Sequence, residues 1–301
     1  MKNILVSGLI TIETTVRIDR FPVNYSPVDY QFNGINTTIS GVGFNIAKAL
    51  KTLGASPVFL SIIGNDIYLN IIMDEVNRLN LDNKFILPII DSTAQSIILY
   101  NEEKRKIILD LKNIQDIKYP VKNIDTVLND IDIAALCNIN FSRGLLKIFK
   151  DAGKIIASDV HVVCDVNDEY NMDFMRYSDI LFLSNENILG SEYDFLNQLI
   201  GKYNNKIIVI GLGGSGLLLF NRENNEIKQY PAVKTRKVVN TIGAGDALFS
   251  SFIYFFAKTN SVQYSIEKAL VFASYKIGGK GAAEGFLHEK DLLDICIASN
   301  F

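Results

Sequence analysis

The chain has few of the residues that build metal sites and disulfide frameworks. Its 301 residues include only two histidines and three cysteines, namely His161, His288, Cys137, Cys164 and Cys296. The cysteines are odd in number, widely spaced and without a C-x-x-C pair, which is typical of reduced thiols in a cytoplasm. We therefore expect neither a disulfide framework nor a zinc site nor a histidine-based metal site.

Long apolar runs and an excess of positive charge are missing too. The longest apolar stretch, Phe252 to Ala257, is too short to span a bilayer, and the apolar start at Ile4 to Ile12 lacks the cleavage site of a signal peptide. The net charge is −3 and the pI is near 5.5, whereas a nucleic-acid partner would favour a basic surface. The expectation is a globular cytoplasmic protein with neither a nucleic-acid nor a membrane partner.

What the sequence does contain is an alternation of short apolar strands and helical patterns. The strand-like runs cover residues 4–10, 57–63, 131–137, 154–158, 179–183 and 206–210. One helical stripe follows the Gly41-Val42-Gly43 turn, and another covers Ile67 to Leu79 with Asp66 as its expected N-cap. This alternation predicts a doubly wound α/β fold, in which a mostly parallel sheet is flanked by helices and ligands bind outside the carboxyl ends of the strands.

Two segments depart from this alternation. Residues 11–38 and 92–111 contain half-polar, strand-like runs without helical stripes. Within the second segment, two such runs around the turn Asn101 to Glu103 predict a β-hairpin. Because no linker, low-complexity tract or internal repeat separates these segments from the rest, we expect a single domain over residues 1–301 that carries both insertions.

The most informative stretch is Asn240 to Ser250, in which a turn of small residues opens into an apolar helix. The first amides of a helix lack intrahelical partners, and the small residues Gly243, Ala244 and Gly245 leave these amides open to an anion. Asp246 would repel that anion unless it accepts a proton from a nucleophile aimed at it, as phosphoryl transfer to a hydroxyl requires. The alternative is a plain capped turn, in which Asp246 satisfies amides of the first helical turn.

A second candidate site lies near the N-terminus, in Ser40-Gly-Val-Gly-Phe-Asn45. Gly41 and Gly43 permit close approach of the backbone, and the Asn45 side chain can both donate hydrogen bonds to a diol and accept them. Glu13 follows the first strand, where a carboxylate can bind sugar hydroxyls. The alternatives are an exposed Asn45 in a helical turn and an ordinary exposed residue at position 13.

Residues Gly211 to Gly216 match the G-x-G-x-x-G pattern of dinucleotide-binding folds. In those folds the third glycine opens a helix, and an acidic residue follows about 20 positions later. Here Leu217 to Phe220 and Ile227 to Ala232 predict strands instead. We therefore interpret Gly213 and Gly216 as a turn near a nucleotide, and the alternative of a nicotinamide enzyme rests on these glycines alone.

In their order along the chain, these motifs resemble those of the ribokinase-like (PfkB) sugar kinases. Asn240 to Asp246 resembles the family signature D-T-x-G-A-G-D, and Ser40 to Asn45 resembles G-G-x-G-x-N. Three further elements resemble family motifs in the same order: Ile4 to Gly8 followed by Glu13, Ile62 to Asp66, and Ile208 to Gly216. The resemblance runs from about residue 3 to about residue 285 and so covers nearly the whole chain.

The resemblance implies an enzyme that transfers a phosphoryl group from ATP to a primary hydroxyl of a sugar or nucleoside. Asp246 would be the general base, the amides of Gly243 to Asp246 would form an anion hole, and the insertions at about 11–38 and 92–111 would form a small β-sheet lid. The residues implied to bind the acceptor are Glu13, Gly41, Val42, Gly43 and Asn45. Those implied to bind the nucleotide are Asn185, Gly211, Gly213, Gly216, Ser274 and Gly278.

The resemblance also implies Mg²⁺, held mainly by ATP phosphates and water. It further suggests a monovalent cation, K⁺, beside Asn240 and Ile242 and near the loop at Gly278 to Gly281. A homodimer formed through the lid is compatible with the same family pattern.

Three departures from the family pattern bear on the activity. Val42 stands where ribose and fructose kinases often carry lysine, which favours a nucleoside-like acceptor. Ile188 stands where the N-x-x-E element beginning at Asn185 has a glutamate that orders magnesium-bound water. Asn240 replaces an aspartate, which weakens the monovalent-cation site. A non-catalytic sugar- or nucleotide-sensing member of the same fold is therefore the alternative to a kinase.

Overall fold

A computed structural model describes residues 1–101 and 104–298 and places their strands in two β-sheets. The strands are β1 (Ile4–Ser7), β2 (Thr11–Arg17), β3 (Ile35–Ser40), β4 (Val58–Gly64), β5 (Ile86–Ile90), β6 (Gln95–Tyr100), β7 (Arg105–Asp110), β8 (Ile133–Leu136), β9 (Ile155–Val162), β10 (Ile180–Ser184), β11 (Ile207–Gly211), β12 (Leu217–Asn221) and β13 (Glu226–Tyr230). The helices are α1 (Val42–Leu53), α2 (Leu69–Arg78), α3 (Asn140–Asp151), α4 (Met172–Tyr177), α5 (Glu192–Lys202), α6 (Ala244–Thr259), α7 (Val262–Lys276) and α8 (Glu289–Ala298).

The larger sheet has nine strands in the order β13-β12-β11-β10-β9-β8-β1-β4-β5. From β11 to β5 all neighbouring strands are parallel, while β12 and β13 add antiparallel strands at one edge. The predicted fold class is therefore confirmed, and so is the antiparallel strand pair after Gly216. No helix in the described ranges has the length and apolarity that crossing a bilayer would require.

The two faces of this sheet are covered by separate apolar cores, as expected for strands buried on both sides. In β1, for example, Ile4 and Val6 belong to the core under α1, α2, α6, α7 and α8. Leu5, which points the other way, belongs to the core under α3, α4 and α5. The near-continuous apolar strands of the sequence thus reflect two cores rather than one.

Several predicted element boundaries were wrong, including the end of the strand predicted over 154–158, which continues to Val162 as β9. The first strand ends at Ser7 instead of residue 10, because the chain leaves the large sheet at Gly8 and enters the small sheet at Thr11. The second helix begins at Leu69, and Tyr68 rather than Asp66 occupies its N-cap position. The Asp66 carboxylate instead accepts hydrogen bonds from the Thr93 amide at 2.7 Å and the Tyr68 amide at 3.0 Å.

The smaller sheet has four strands in the order β3-β2-β6-β7 and is built from the two inserted segments. Strands β6 and β7 form the predicted hairpin, although residues 102 and 103 of its turn lie outside the described part of the chain. The register aligns Glu13 with Ser96 and Leu109, and Thr15 with Ile98 and Ile107. We call the side that carries these residues the inner face, because Ile98 packs there against Ile242 and Ala282, in the loops before α6 and after α7.

Two glycines bring the start of α1 against the end of β1. A Cβ atom at Gly43 would lie 2.4 Å from the Gly8 carbonyl carbon, and one at Gly8 would lie 2.8 Å from the Gly43 Cα. Gly41 has φ +103°, and a Cβ there would lie 2.6 Å from the Leu9 carbonyl oxygen. These glycines therefore permit close approach of the backbone, as predicted. The segment that approaches them is the chain between β1 and β2.

We expect Gly43→Ala to lower the free energy of unfolding by about 3 kcal/mol, because the added methyl group meets backbone that cannot move aside. Gly144→Ala is the matched control: Gly144 lies inside α3, and apart from its own helical backbone and chain neighbours no atom of the described residues lies within 4 Å of a Cβ there. That change should stabilise the protein by about 0.5–1 kcal/mol through helix propensity. Urea unfolding followed by circular dichroism measures both, and equal midpoints for Gly43→Ala and the unmodified protein would contradict the packing argument.

Candidate active site

The predicted site residues from both ends of the chain meet at the carboxyl edge of the large sheet. The hydrogen bond that joins them runs from Asn45 Nδ2 in α1 to Asp246 Oδ2 in α6, at 2.7 Å. Both side chains are buried. Among the described residues no other donor reaches the Asp246 carboxylate, so its Oδ1 is free for a ligand, while the Ser250 hydroxyl bonds only the Asp246 backbone carbonyl.

The small residues before Asp246 leave the first turn of α6 uncapped. Gly243 occupies the N-cap position with φ +75° and has no side-chain cap. In the described part of the chain, the amides of Gly243, Gly245 and Asp246 have no hydrogen-bond acceptor, whereas the Ala244 amide lies 3.2 Å from the Thr241 carbonyl oxygen. The plain capped turn is therefore wrong, since the Asp246 carboxylate turns to Asn45 and the amides remain available to an anion.

A short chain of buried polar groups extends this contact to the small sheet. The Ser40 hydroxyl lies 2.9 Å from Glu13 Oε2 and 3.2 Å from Asn45 Oδ1, so its proton is shared between the two acceptors. Among the described residues no donor forms a hydrogen bond of normal geometry with the buried Glu13 Oε1, although the Ala282 amide is near enough to lower the pKa of this carboxyl group. An unpaired buried carboxylate oxygen costs free energy unless a ligand supplies a donor. Glu13 is thus not an ordinary exposed residue, and its free oxygen suits a hydroxyl group.

Burial raises the pKa of Asp246 above its usual value, although His161 and the Asn45 hydrogen bond act in the opposite direction. Burial also raises the pKa of Glu13, against the hydrogen bond from Ser40. Raised pKa values of carboxyl groups in a cleft are a feature of proton-transferring sites. His161 and Asp159 lie beside this site, with 3.9 Å between His161 Nδ1 and Asp159 Oδ1.

Val42 and Gly43 lie in the first turn of α1, at the predicted acceptor site, but they face different surroundings. Val42 is partly buried and packs against the core under α1 and α6. Gly41 and Gly43 serve the contact with β1 described above. Of the five predicted acceptor residues, Glu13 and Asn45 therefore carry the polar groups available to a ligand.

Several of the predicted nucleotide residues have structural partners of their own. Gly216 has φ +100°, and a Cβ there would lie 2.0 Å from the Tyr230 carbonyl oxygen, so it serves the approach of β12 to β13. Ser274 Oγ lies 3.0 Å from the Thr235 amide. Gly278 lies under the Arg236 side chain. Gly213 has φ +56° with open space around it.

Asn185 follows β10, and its side chain has an acidic partner that the sequence pattern did not indicate. Position 188 is isoleucine, yet Glu192 in the first turn of α5 accepts a hydrogen bond from Asn185 Nδ2 at 3.0 Å. This bond lowers the pKa of Glu192. A carboxylate therefore reaches the Asn185 side chain from seven positions downstream instead of three.

Lys276 is the functional candidate that sequence reasoning missed. It is the last residue of α7, is fully buried, and its ammonium group donates a hydrogen bond to the Ile242 carbonyl oxygen. Burial lowers the pKa of Lys276 to about 8, against the opposing charges of Asp246, Glu13 and Glu284. The sequence signal was weak, a lysine two residues before Gly278 at the end of a helix that also contains Glu267 and Lys268.

Arg105 is a second residue without a sequence signal. It lies at the start of β7, on the inner face of the small sheet, and its guanidinium group donates to Thr241 Oγ1 at 2.9 Å. The same group forms an ion pair of 3.4 Å with Glu186. Arg105 thus links the small sheet to the loop before Gly243 and to the loop after β10.

The predicted monovalent-cation site does not suit an added cation. Asn240 Oδ1 accepts the Ile242 amide hydrogen at 2.8 Å, and Asn240 Nδ2 donates to the Lys280 carbonyl oxygen at 3.0 Å. The Ile242 carbonyl oxygen is already bonded to Lys276. In the described part of the chain, no cluster of three or more histidine, cysteine, aspartate or glutamate side chains offers a metal site either. A divalent ion would therefore depend on ligands from bound phosphates and water.

Comparison with known proteins identifies the family. The chain belongs to the pfkB family of carbohydrate kinases, whose profile matches residues 1–289. A ribokinase from Dictyostelium discoideum is 25% identical over 317 residues, which cover 94% of this chain and 97% of that one.

Two solved structures show the same fold. A microbiome-derived acarbose kinase superimposes with a TM-score of 0.88 at 20% identity and covers 99% of both chains. The nucleoside kinase of Burkholderia thailandensis, solved in complex with inosine, superimposes with a TM-score of 0.80 at 16% identity and covers 99% of this chain and 98% of its own. With the family established, the protein is a carbohydrate or nucleoside kinase, an enzyme class that uses ATP with a divalent metal.

Proposed function

We propose that this protein phosphorylates a primary hydroxyl group of a sugar or nucleoside at the expense of ATP, with Asp246 as general base. The observation that carries the proposal is the placement of Asp246. Among the described residues, one carboxylate oxygen accepts a hydrogen bond from Asn45 and the other has no donor, at the start of a helix where the amides of Gly243, Gly245 and Asp246 have no acceptor. A base for the acceptor and a binding site for the transferred phosphate are then within one helical turn.

In the proposed reaction the acceptor oxygen attacks the γ-phosphorus of ATP and forms the new P–O bond. The bond between the γ-phosphorus and the bridging β-phosphate oxygen breaks, and ADP leaves with that electron pair. The proton of the acceptor hydroxyl passes to the free oxygen of Asp246. The amides of Gly243, Gly245 and Asp246 would donate hydrogen bonds to the charged phosphoryl oxygens. Because the Ala244 amide faces Thr241, its contribution to the predicted anion hole would be smaller.

The acceptor would lie between α6 and the small sheet. Glu13 Oε1, which has no hydrogen-bond partner in the described part of the chain, would accept a hydrogen bond from an acceptor hydroxyl. Arg105 and Ile98 connect the inner face of the small sheet to the loop before Gly243, which supports the role of this sheet as a lid. Closing such a lid excludes water, whose attack on ATP would otherwise compete with the acceptor.

ATP would extend from the α6 N-terminus past Asn185 and Gly211 towards the turn at Gly213, with Ser274 and Gly278 behind that turn. Mg²⁺ would offset phosphate charge while it is held by the phosphates and water. The carboxylate of Glu192, hydrogen-bonded to Asn185, is placed to order such water in the way that the sequence pattern assigns to position 188. This contact favours a catalytic protein over the sensing alternative, which rested on Ile188.

We expect Asp246→Asn to lower kcat by about 10²–10⁴-fold, the usual effect of removing a general base. The Asn45 hydrogen bond can be kept by the new amide oxygen, so ATP binding should change little. Coupled detection of ADP release measures kcat, and calorimetry with a non-hydrolysable ATP analogue measures binding. Turnover within a few-fold of the unmodified enzyme would remove Asp246 from the base role.

The pH dependence of kcat provides a further test of Asp246 as the general base. A base must be ionised, and the folded-state pKa of Asp246 is raised above its usual value. The kcat of the unmodified enzyme should therefore fall as pH decreases through that raised pKa, and Asp246→Asn should lack this acidic limb.

The inner face of the small sheet bears on the choice of acceptor. Ile107 and Leu109 are about half exposed there, at 51% and 48%, and the register aligns them with Thr15 and Glu13. Val42, the residue on which the sequence expectation rested, packs instead against the core. Exposed apolar side chains beside the acceptor carboxylate favour a substrate with a flat or apolar substituent, such as a nucleoside base.

We expect uridine, adenosine or pseudouridine to have a kcat/KM about 10-fold or more above that of ribose or fructose, since burying the base against Ile107 and Leu109 is worth about 1–3 kcal/mol. Ile107→Ser should lower the value for the preferred nucleoside by about 10-fold and that for ribose much less. Lys106→Ala, on the opposite face of β7, is the control. Competition assays between these acceptors measure the ratios of their kcat/KM values. A preference for ribose or fructose would contradict the nucleoside proposal.

We also propose a homodimer formed through the outer face of the small sheet. Ile35, Ile97 and Ile108 are each about half exposed on that face, and exposed apolar clusters of this kind mark interaction surfaces. Light scattering should give twice the chain mass, and Ile97→Lys should shift the protein towards the monomer. A monomer at all accessible concentrations would contradict the dimer.

A further inference from the structure

Lys276 places a positive charge directly behind the candidate anion hole. Its side chain is fully buried, and its ammonium group donates to the Ile242 carbonyl oxygen. That carbonyl belongs to the peptide unit whose N–H is the Gly243 amide, the first free donor of the hole. A buried lysine is rare unless charged or polar partners compensate its desolvation. Here the compensating charges are Asp246 and Glu13, the two carboxylates of the site.

The loop around Lys276 already uses the oxygen atoms that an external cation would need. Asn240 directs its carbonyl oxygen to the Ile242 amide and its NH₂ group to the Lys280 carbonyl oxygen. The Ile242 carbonyl oxygen is bonded to Lys276. An additional K⁺ would therefore have to displace hydrogen bonds and approach an ammonium group, which Coulomb repulsion opposes.

Building on the proposed phosphoryl transfer, we infer that the Lys276 ammonium group replaces the monovalent cation as the fixed positive charge of the anion hole. Lys276 does not reach the phosphate itself and acts through the Ile242–Gly243 peptide, so it is a positioning residue. A cation at the peptide oxygen polarises the unit and makes the Gly243 N–H a stronger donor. The enzyme is then independent of monovalent cations, because its cation is part of the chain.

The hydrogen bond to Ile242 has a second effect on the hole. The Ile242 carbonyl lies four residues before Asp246 and would be the regular helical acceptor for the Asp246 amide. With that oxygen bonded to Lys276, the Asp246 amide has no acceptor among the described residues and remains available to the phosphate. One side chain therefore strengthens one donor of the hole and leaves another unpaired.

The first test needs no enzymatic activity. Crystals of the unmodified protein and of Lys276→Ala are grown or soaked in rubidium chloride, and anomalous diffraction locates bound Rb⁺. We expect no Rb⁺ within coordination distance of the Ile242 carbonyl oxygen in the unmodified protein and a bound ion in the cavity of Lys276→Ala. Rb⁺ at this oxygen in the unmodified protein would overturn the inference, as would a dry and empty cavity in the variant.

The second test uses turnover. Lys276→Met retains the length of the side chain without its charge, and we expect kcat to fall by about 10²-fold, as when a donor of an oxyanion hole is removed. The KM values for ATP and acceptor should stay within about three-fold, since the charge acts mainly on the transition state. Lys268→Met, a buried lysine two turns earlier in α7 whose ammonium group lies 5.0 Å from the Tyr264 ring centre, is the control. It should keep kcat within about two-fold.

Cation dependence completes the comparison. At constant ionic strength, about 100 mM K⁺ or NH₄⁺ should leave the unmodified enzyme unchanged and raise kcat of Lys276→Ala by about 10-fold. Activation of the unmodified enzyme by the same factor, or a folded Lys276→Met with full kcat, would overturn the inference. If the unmodified protein phosphorylates no acceptor at all, the proposed function fails, while the Rb⁺ experiment still decides where the cation lies.

Discussion

The hydrogen bond between Asn45 and Asp246 is the contact on which the rest of the site depends. It joins two helices that begin at the same edge of the large sheet but are 201 positions apart in the chain. Each helix start is placed by backbone contacts that only glycine permits, with Gly43 against Gly8 and Gly243 against the Ala282 carbonyl oxygen. The side chains meet at 2.7 Å because the backbones beneath them are fixed. Buried polar contacts of this kind are costly when incomplete, so they fix the relative position of their elements.

Much of the fold could be predicted from the sequence, because its strands are buried on both faces and its helices carry apolar stripes. The prediction that the glycines ending at Gly216 do not form a dinucleotide-binding motif was correct in its structural part. Leu217 to Phe220 has the pattern of a strand, and a strand rather than a helix follows Gly216. Boundaries were less predictable. Aspartate is a favoured residue at N-cap positions, which is why Asp66 was predicted there. Its carboxylate instead accepts a hydrogen bond from the Thr93 amide, 27 positions away, and no local pattern indicates that partner.

The candidate site was predictable where function imposes a short motif and unpredictable where it depends on a single distant side chain. Asp246, Asn45 and Glu13 stand in or near recognisable motifs. Lys276, Arg105 and Glu192 do not, because each reaches the site from an element whose local sequence serves packing. The shift of an acidic residue from position 188 to position 192 shows the same limit, since a helix start can deliver a carboxylate to Asn185 from either place.

The family motifs that this chain resembles have glycine at position 40 and usually aspartate at position 13, so Ser40 and Glu13 look like two unrelated departures. In the fold they lie on the neighbouring strands β3 and β2, two register positions apart, and the Ser40 hydroxyl donates a hydrogen bond to the longer carboxylate of Glu13 at 2.9 Å. Neither change is neutral alone: glycine at position 40 would leave both oxygens of Glu13 buried and unpaired, and aspartate at position 13 would withdraw from the Ser40 hydroxyl. The two side chains therefore form one unit, and a substitution at either position alone breaks their contact.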